Sequence, residues 1–549
     1  MSEETKDEVV SEQPEVQAEA QAAEAPATDG TVAEEQSPHK GFLGKVDNWF
    51  GITKAKSSFK IEIIAGLTTF MAMVYILIVN PSIFVYADGV TIPGLSFDAM
   101  YIATSLGAIV GTMLMALLAK MPLAQASGMG VNAFVVYNLV GGGLTYANAM
   151  VFTLLDGVIF IILTVTGLRK YIFTAIPDEV KKAINVGLGL FIAFIGLQNA
   201  GVIVNSDSTL VGLVSFNMLN IHGFIPSHVV TFSNGTVGGM LPAFVAIAGV
   251  IATAILAKKK VKGAILWGIL GSTVLFYILA GFGCLAGGEI ITNEGGVVTL
   301  ITNGEACKAI FNNITISNPF TAFASWGTES AGKVFYEGFD FSAYLGVEGH
   351  NAGSLVVLLI TSALSLCMLD MFDTLGTLYG ACTKGNLLDE NGNPKNMNRC
   401  MLADAIATAT GAVAGTSTVT TFVESSAGVA AGGKTGFTAL VTGACFIVAM
   451  FLSPLAKLIP SAATATALIW VGVLMMSTVT QIDWTDPAAA LPAFLTIAVM
   501  AFGYEISYGI GIGIISSVVV RVCTGKIKSI SIVTWIIAAF FLATFLLTH

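Results

Sequence analysis

Thirteen apolar runs, each near the twenty or so residues a helix needs to cross a bilayer, constrain this chain more than any other feature. They fall at 60–80, 101–119, 149–168, 184–204, 238–257, 262–283, 352–372, 400–414, 436–453, 461–478, 488–503, 505–522 and 529–548. Two further stretches, 123–141 and 416–431, are apolar but too interrupted for simple spans. Lipid offers the backbone no hydrogen-bonding partner, so such a chain must satisfy its peptide groups within helices. The expected class is an all-α polytopic membrane protein in a cell membrane. The composition agrees, since only 11% of the residues are charged, against about a quarter in soluble domains.

The net charge of −10 is local: residues 1–39 hold eleven Asp and Glu and one Lys, so the remainder balances. That acidic tail is poor in aromatics and reads as disordered. It lacks the basic start and apolar run of a signal peptide. Lysine and arginine mark the cytoplasmic side. Lys40, Lys45, Lys54, Lys56 and Lys60 precede the first run, so the N-terminus is expected inside. Lys120, Arg169 to Lys182, Lys258 to Lys262, Lys384 to Arg399 and Arg521 to Lys528 mark later inner loops, whereas 81–99 has no Lys or Arg. The segment 284–351 then lies outside, with soluble-like composition suited to a small cap. The last run, 529–548, is either an extra crossing or an interfacial helix.

Seven Cys and five His are scattered without metal-ligand spacing, so no metal is expected. A Cys284–Cys307 disulfide in the outer loop is left open. No Walker or dinucleotide motif is present, so no cofactor, ATP or nucleic acid is implied.

The two interrupted stretches occupy matching places. Asn132 follows a Gly128-Met-Gly130 break, then come a helix, a span and Ala175-Ile-Pro177; Glu424 follows its own break, then come a turn, a span and Leu458-Ile-Pro460. By the charge count the two breaks run in opposite directions. That is the pattern of inverted-repeat transporters, which hold substrate between discontinuous helices near the midplane. The plainer alternative is two Gly-rich helices packed closely in lipid.

Three clusters carry candidate chemistry. In Gln125 to Phe134, Gly128 and Gly130 permit close approach, and Asn132 offers donors and an acceptor to a planar edge; alternatively Asn132 bonds backbone freed at the break. In Leu369-Asp-Met-Phe-Asp-Thr-Leu-Gly-Thr-Leu378, Asp370 and Asp373 share one helix face. Asp373 is favoured as the ligand contact because Thr374, Gly376 and Thr377 make its wall small and polar; either acid read blandly is a helix-end carboxylate. In Gly415 to Gly433, Glu424 precedes a helix start whose free N–H groups favour an anion. A charge at membrane depth is rarely kept without a function. Phe422 lies two residues before it on an extended stretch, placed to stack on a flat ring or simply to pack. Asp156 and Asp404 are also intramembrane acids, with mainly structural roles expected.

At these clusters the sequence resembles the AzgA-type purine permeases, a branch of the nucleobase:cation symporter and nucleobase-ascorbate transporter superfamily. The matching stretches are Gly66 to Tyr75 with Asn80-Pro81, Gly128 to Phe134, Gly187 to Gln198, Met371 to Leu378, and Gly415 to Gly433. They run from about 40 to 523. The resemblance implies two inverted repeats of seven transmembrane segments. It implies a core domain, about 60–168 and 352–453, that rocks against a gate domain, about 176–283 and 455–523. It implies proton-coupled uptake of hypoxanthine, guanine or adenine and no enzymatic activity. Asp373, Glu424, Asn132, Phe422, Thr374, Ser425 and Gly130 are the expected substrate contacts. Glu424 and Asp373 are the expected proton carriers, and Asp370, Thr377 and Asp156 are secondary candidates for the site. Departures are Ser127 where the family has Pro before Gly-Met-Gly, and Asp156 where it commonly has Glu. A homodimer is left open. The rivals are a carrier of an anion or other small metabolite on the same fold, an intramembrane aspartyl hydrolase using Asp370 or Asp373, and a channel.

Overall fold

The computed structural model describes residues 41–85, 92–168, 176–206, 210–214, 240–285, 289–294, 297–302, 318–347, 350–390 and 393–548. The acidic tail and Cys307 lie outside them. In chain order the main helices are α1 (Phe42–Phe50), α2 (Phe59–Met73), α3 (Ile76–Val85), α4 (Phe97–Leu114), α5 (Met129–Ala133), α6 (Tyr146–Thr166), α7 (Asp178–Asn199), α8 (Met240–Lys258) and α9 (Ala264–Leu285). The second half supplies α10 (Ala352–Lys384), α11 (Met397–Ala414), α12 (Ser425–Ala430), α13 (Gly436–Ala449), α14 (Ser461–Met476), α15 (Pro487–Phe502), α16 (Ile506–Cys523) and α17 (Ile532–Thr548). Among the described residues, ten helical stretches, α2 with α3 counted as one, are long and apolar enough to cross a membrane. Each half holds seven segments before α17, and the third of each is broken: a three-residue strand followed by a short helix, β1 (Gln125–Ser127) with α5 and β2 (Val419–Thr421) with α12.

The helices gather into two bundles. One contains α2 to α6 and α10 to α13; the other contains α7 to α9 and α14 to α16. Small residues set the spacing within each, as expected where lipid gives helices no hydrophobic reason to associate. In the first bundle, a Cβ on Gly157 of α6 would sit 2.6 Å from the Ala409 nitrogen of α11. In the second, a Cβ on Gly189 of α7 would sit 2.8 Å from the Gly472 carbonyl of α14.

Two departures from the spans expected above have clear causes. The first span is interrupted at Val74–Tyr75, where Leu77 and Ile78 donate to the carbonyls three residues back, so α2 and α3 are separate. α10 continues to Lys384 rather than ending near 372, because its polar residues Asp370, Thr374 and Thr377 are buried in protein and never meet lipid. α17, which the sequence left as either a crossing or an interfacial helix, packs on α16 with the buried Phe541 ring over Gly511. Between α9 and α10, residues 318–347 cap the ends of α4, α6 and α11: Trp326 donates to the Ala414 carbonyl and Asn148 to those of Gly338 and Asp340, all at 2.8 Å.

Candidate functional site

β1 and β2 lie side by side as an antiparallel pair, Gln125 opposite Thr421 and Ser127 opposite Val419, so the two breaks face each other inside the first bundle. Glycines make the room. A Cβ on Gly111 would lie 2.8 Å from the Val419 side chain, and so would one on Gly411; on Gly128 it would lie 2.8 Å from the Thr420 hydroxyl. A two-stranded sheet leaves two open edges, which would be costly here. Hydroxyls from the surrounding helices close them. Thr112 both donates to the Gln125 carbonyl (2.9 Å) and accepts from the Gln125 N–H (3.1 Å). Thr408 donates to the Val419 carbonyl at 3.2 Å, and Ser425 accepts from the Ala124 N–H at 3.0 Å.

The strands sort the buried acids into two groups. On one side Thr420 donates to Asp373 at 3.1 Å, and the Tyr75 hydroxyl donates to Glu424 at 2.7 Å. Asp373 and Glu424 are close enough to act on each other electrostatically. On the other side Asp404 accepts from Gln125 (2.8 Å), Thr374 (2.9 and 3.0 Å) and Thr421 (3.3 Å), while Asp156 accepts from Thr418 at 3.1 Å. Asp370, one turn before Thr374 on α10, stands beside Asp404. Of the two α10 acids, Asp373 is thus the one that reaches the strand facing Glu424.

The remaining candidates divide similarly. Asn132 accepts from Ser127 at 2.8 Å and from Ser417, while its amide nitrogen is buried with no partner. That leaves a donor for a ligand. Gly130 abuts Leu188 of α7, where any side chain would collide with the second bundle. Phe422 packs in the main apolar core. Ser425 uses its hydroxyl on Ala124, and Thr377 is buried one turn beyond Asp373. A cavity of about 540 Å³ runs between the bundles from Glu424, past Thr68 and Ala72, to Lys260 and Lys262 at the α8–α9 turn. Glu424 is the one member of the expected set that lines it.

Tyr75 and Thr420 were not among the sequence candidates. Tyr75 lies in a motif that carried the resemblance, but nothing marks it as the turn between α2 and α3. Thr420 is one of many threonines, and only the strand register aims it at Asp373. Replacing Tyr75 by Phe removes a hydrogen bond to an acid, worth about 1.5–3 kcal/mol when the partner is charged. The expected result is a roughly tenfold or greater rise in the KM for transport with the protein still in the membrane, read from initial uptake rates; an unchanged KM would remove Tyr75 from the site.

Comparison with known proteins gives a coherent picture. The sequence pattern of the Permease family (Xan_ur_permease) matches residues 60–512. The guanine/hypoxanthine permease PbuO of Bacillus subtilis is 36% identical over 504 residues, covering 91% of this chain and 100% of that protein. The adenine permease AdeP of Escherichia coli is 32% identical over 508 residues, 92% of this chain and 96% of that one. Among solved structures, the transmembrane domain of the cyanobacterial bicarbonate transporter BicA aligns with a TM-score of 0.51 at 15% identity, covering 83% of this chain and 97% of that one. The murine anion transporter Slc26a9 in its inward-facing state aligns at 0.53 with 12% identity, covering 90% and 74%. At such identities these two speak to the fold alone.

Proposed function

The chain belongs to the Xan_ur_permease family, and on that premise we propose that it takes up purine bases (hypoxanthine, guanine or adenine) together with a proton. The observation that carries the reading is the convergence of Asp373 and Glu424, from α10 and the second break, on one side of a strand pair that also holds Asn132. A neutral purine presents N–H donors and ring-nitrogen acceptors in one plane. The two carboxylates accept from its donors, and the unpartnered Asn132 amide donates to a ring nitrogen or carbonyl. The first bundle is the core that carries the base, and the second is the gate. The end bearing Lys260 and Lys262 faces the cytoplasm, so the cavity leading to Glu424 is the inner vestibule.

Proton coupling follows from burial. A neutral base held between two ionised carboxylates leaves their charges uncompensated, which is costly to carry through the low-dielectric interior. A proton bound from outside, with Glu424 as the main carrier and Asp373 beside it, neutralises one charge and lets the core move. The convergence of acids rather than basic groups speaks against an anion as cargo, although the two solved proteins of similar fold are a bicarbonate and an anion transporter.

The test is competition of labelled hypoxanthine uptake in cells lacking their own purine transport. Excess unlabelled purine bases are expected to suppress uptake at least tenfold and a protonophore to collapse accumulation, with uracil and bicarbonate having little effect. Suppression by bicarbonate but not by purines would contradict the reading, and purine uptake indifferent to a protonophore would remove the coupling.

A further inference from the structure

The first broken segment does more than hold Asn132. Beyond α5 it continues through a wider helical turn, Phe134–Val140, toward the 318–347 cap, where a Cβ on Gly143 would lie 3.9 Å from the Tyr344 ring. Near its end Asn138 reaches across to the second bundle, at the short turn between α15 and α16. Its amide nitrogen donates to the Tyr504 carbonyl at 2.7 Å and to a Glu505 carboxylate oxygen at 2.8 Å. Tyr504 sits in the left-handed region with φ of 57°, uncommon for a residue with a side chain. Its ring is held edge-on by Phe191 and Phe194 of α7 and by Tyr137, with centroids 5.2, 5.7 and 5.7 Å away. The backbone of that turn is thus fixed so that one carbonyl and one carboxylate meet the same amide.

We propose that Asn138 and the Tyr504–Glu505 turn form the clamp that closes the path to the site on the face opposite the basic one. The cavity at Glu424 leads to the basic face, where a second link, Lys262 to Thr68 at 3.1 Å, also joins the bundles. Any rocking of one bundle on the other that opens the far face must break both Asn138 bonds and pull the Tyr137 ring off Tyr504. Asn138 and Glu505 are positioning residues: they control how often the site meets that face and do not touch the base. The proposal rests on the reading that the bundles move as core and gate. Base recognition by Asp373 and Glu424 is independent of it, so purine binding would survive its failure.

The test uses Ala133→Cys, a small buried position between Asn132 and the clamp. Its reaction with a membrane-impermeant maleimide is followed in right-side-out and inside-out vesicles, with the same chain lacking the added thiol as blank. Asn138→Ala and Glu505→Ala are expected to raise the labelling rate at least tenfold from the face opposite the basic one only. Glu505→Gln, which keeps an oxygen acceptor for Asn138, is expected to stay within about threefold of the parent. Unchanged rates, or equal acceleration from both faces, would overturn the clamp. Where those variants fail to fold, a reversible cross-link between Asn138→Cys and Glu505→Cys decides. Uptake lost on cross-linking and restored by reductant supports the proposal; uptake that continues with the cross-link intact overturns it.

Discussion

Cells producing the Glu424→Gln protein are expected to lose accumulation of labelled hypoxanthine, with at least a tenfold and up to roughly a hundredfold fall in initial uptake, while the protein still reaches the membrane. The amide keeps the size of the side chain and one acceptor, so packing around Tyr75 and α12 is preserved. It removes the charge that strengthens a hydrogen bond to a base N–H, about 1.5–3 kcal/mol for a charged partner. It also removes the group proposed to exchange a proton between the two faces. Glu424→Asp keeps the charge but withdraws it by one methylene from the Tyr75 hydroxyl, which lies 2.7 Å from the glutamate, and should fall between. Accumulation within twofold of the parent by the Gln protein would remove Glu424 from both roles.

The largest structural effect is expected at a residue far from chemistry. Glu62 is fully buried on α2, and its carboxylate accepts four hydrogen bonds. The donors are the Lys434 N–H (3.1 Å), the Thr435 N–H (3.3 Å), and the Thr435 (2.9 Å) and Thr438 (2.5 Å) hydroxyls. These groups form the turn into α13, whose N-terminus favours a negative charge. Glu62→Ala removes the carboxylate acceptor from these donors, of which the Thr435 N–H and hydroxyl are buried and left unpaired, each costing about 1–3 kcal/mol. It also frees the junction that links the second break to α13. The expected result is a fall of more than ten degrees in the apparent unfolding temperature of detergent-solubilised protein, or failure to recover folded protein at all. Glu62→Gln, retaining one acceptor, should be milder. A Glu62→Ala protein as heat-stable as the parent would show that the carboxylate does not hold this junction.

The spans were legible because apolar length alone marks a helix in lipid, and the breaks because glycine and polar residues interrupt otherwise apolar stretches. Legibility ended where a polar group is satisfied by a distant part of the chain. Glu62 passed unnoticed inside an apolar run, since its partners lie some 370 residues away. Tyr75 gave no sign of a turn, because neither glycine nor proline sits there. The division between Asp373 on the Thr420 side and Asp370 on the Asp404 side depends on the strand pairing and on the continuation of α10, neither of which spacing fixes. Likewise, threonines that look like ordinary helix residues, Thr112 and Thr408 among them, are what allow strands to exist at membrane depth.

The account rests on two facing breaks that present Asp373 and Glu424 to one base, so the most direct measurement is an experimental structure of the purified protein with hypoxanthine bound. The base is expected in the gap beside the strand pair, in plane with both carboxylates and within about 3 Å of each, with the Asn132 amide donating to it. Density for the base elsewhere, or contact with neither acid, would contradict the account.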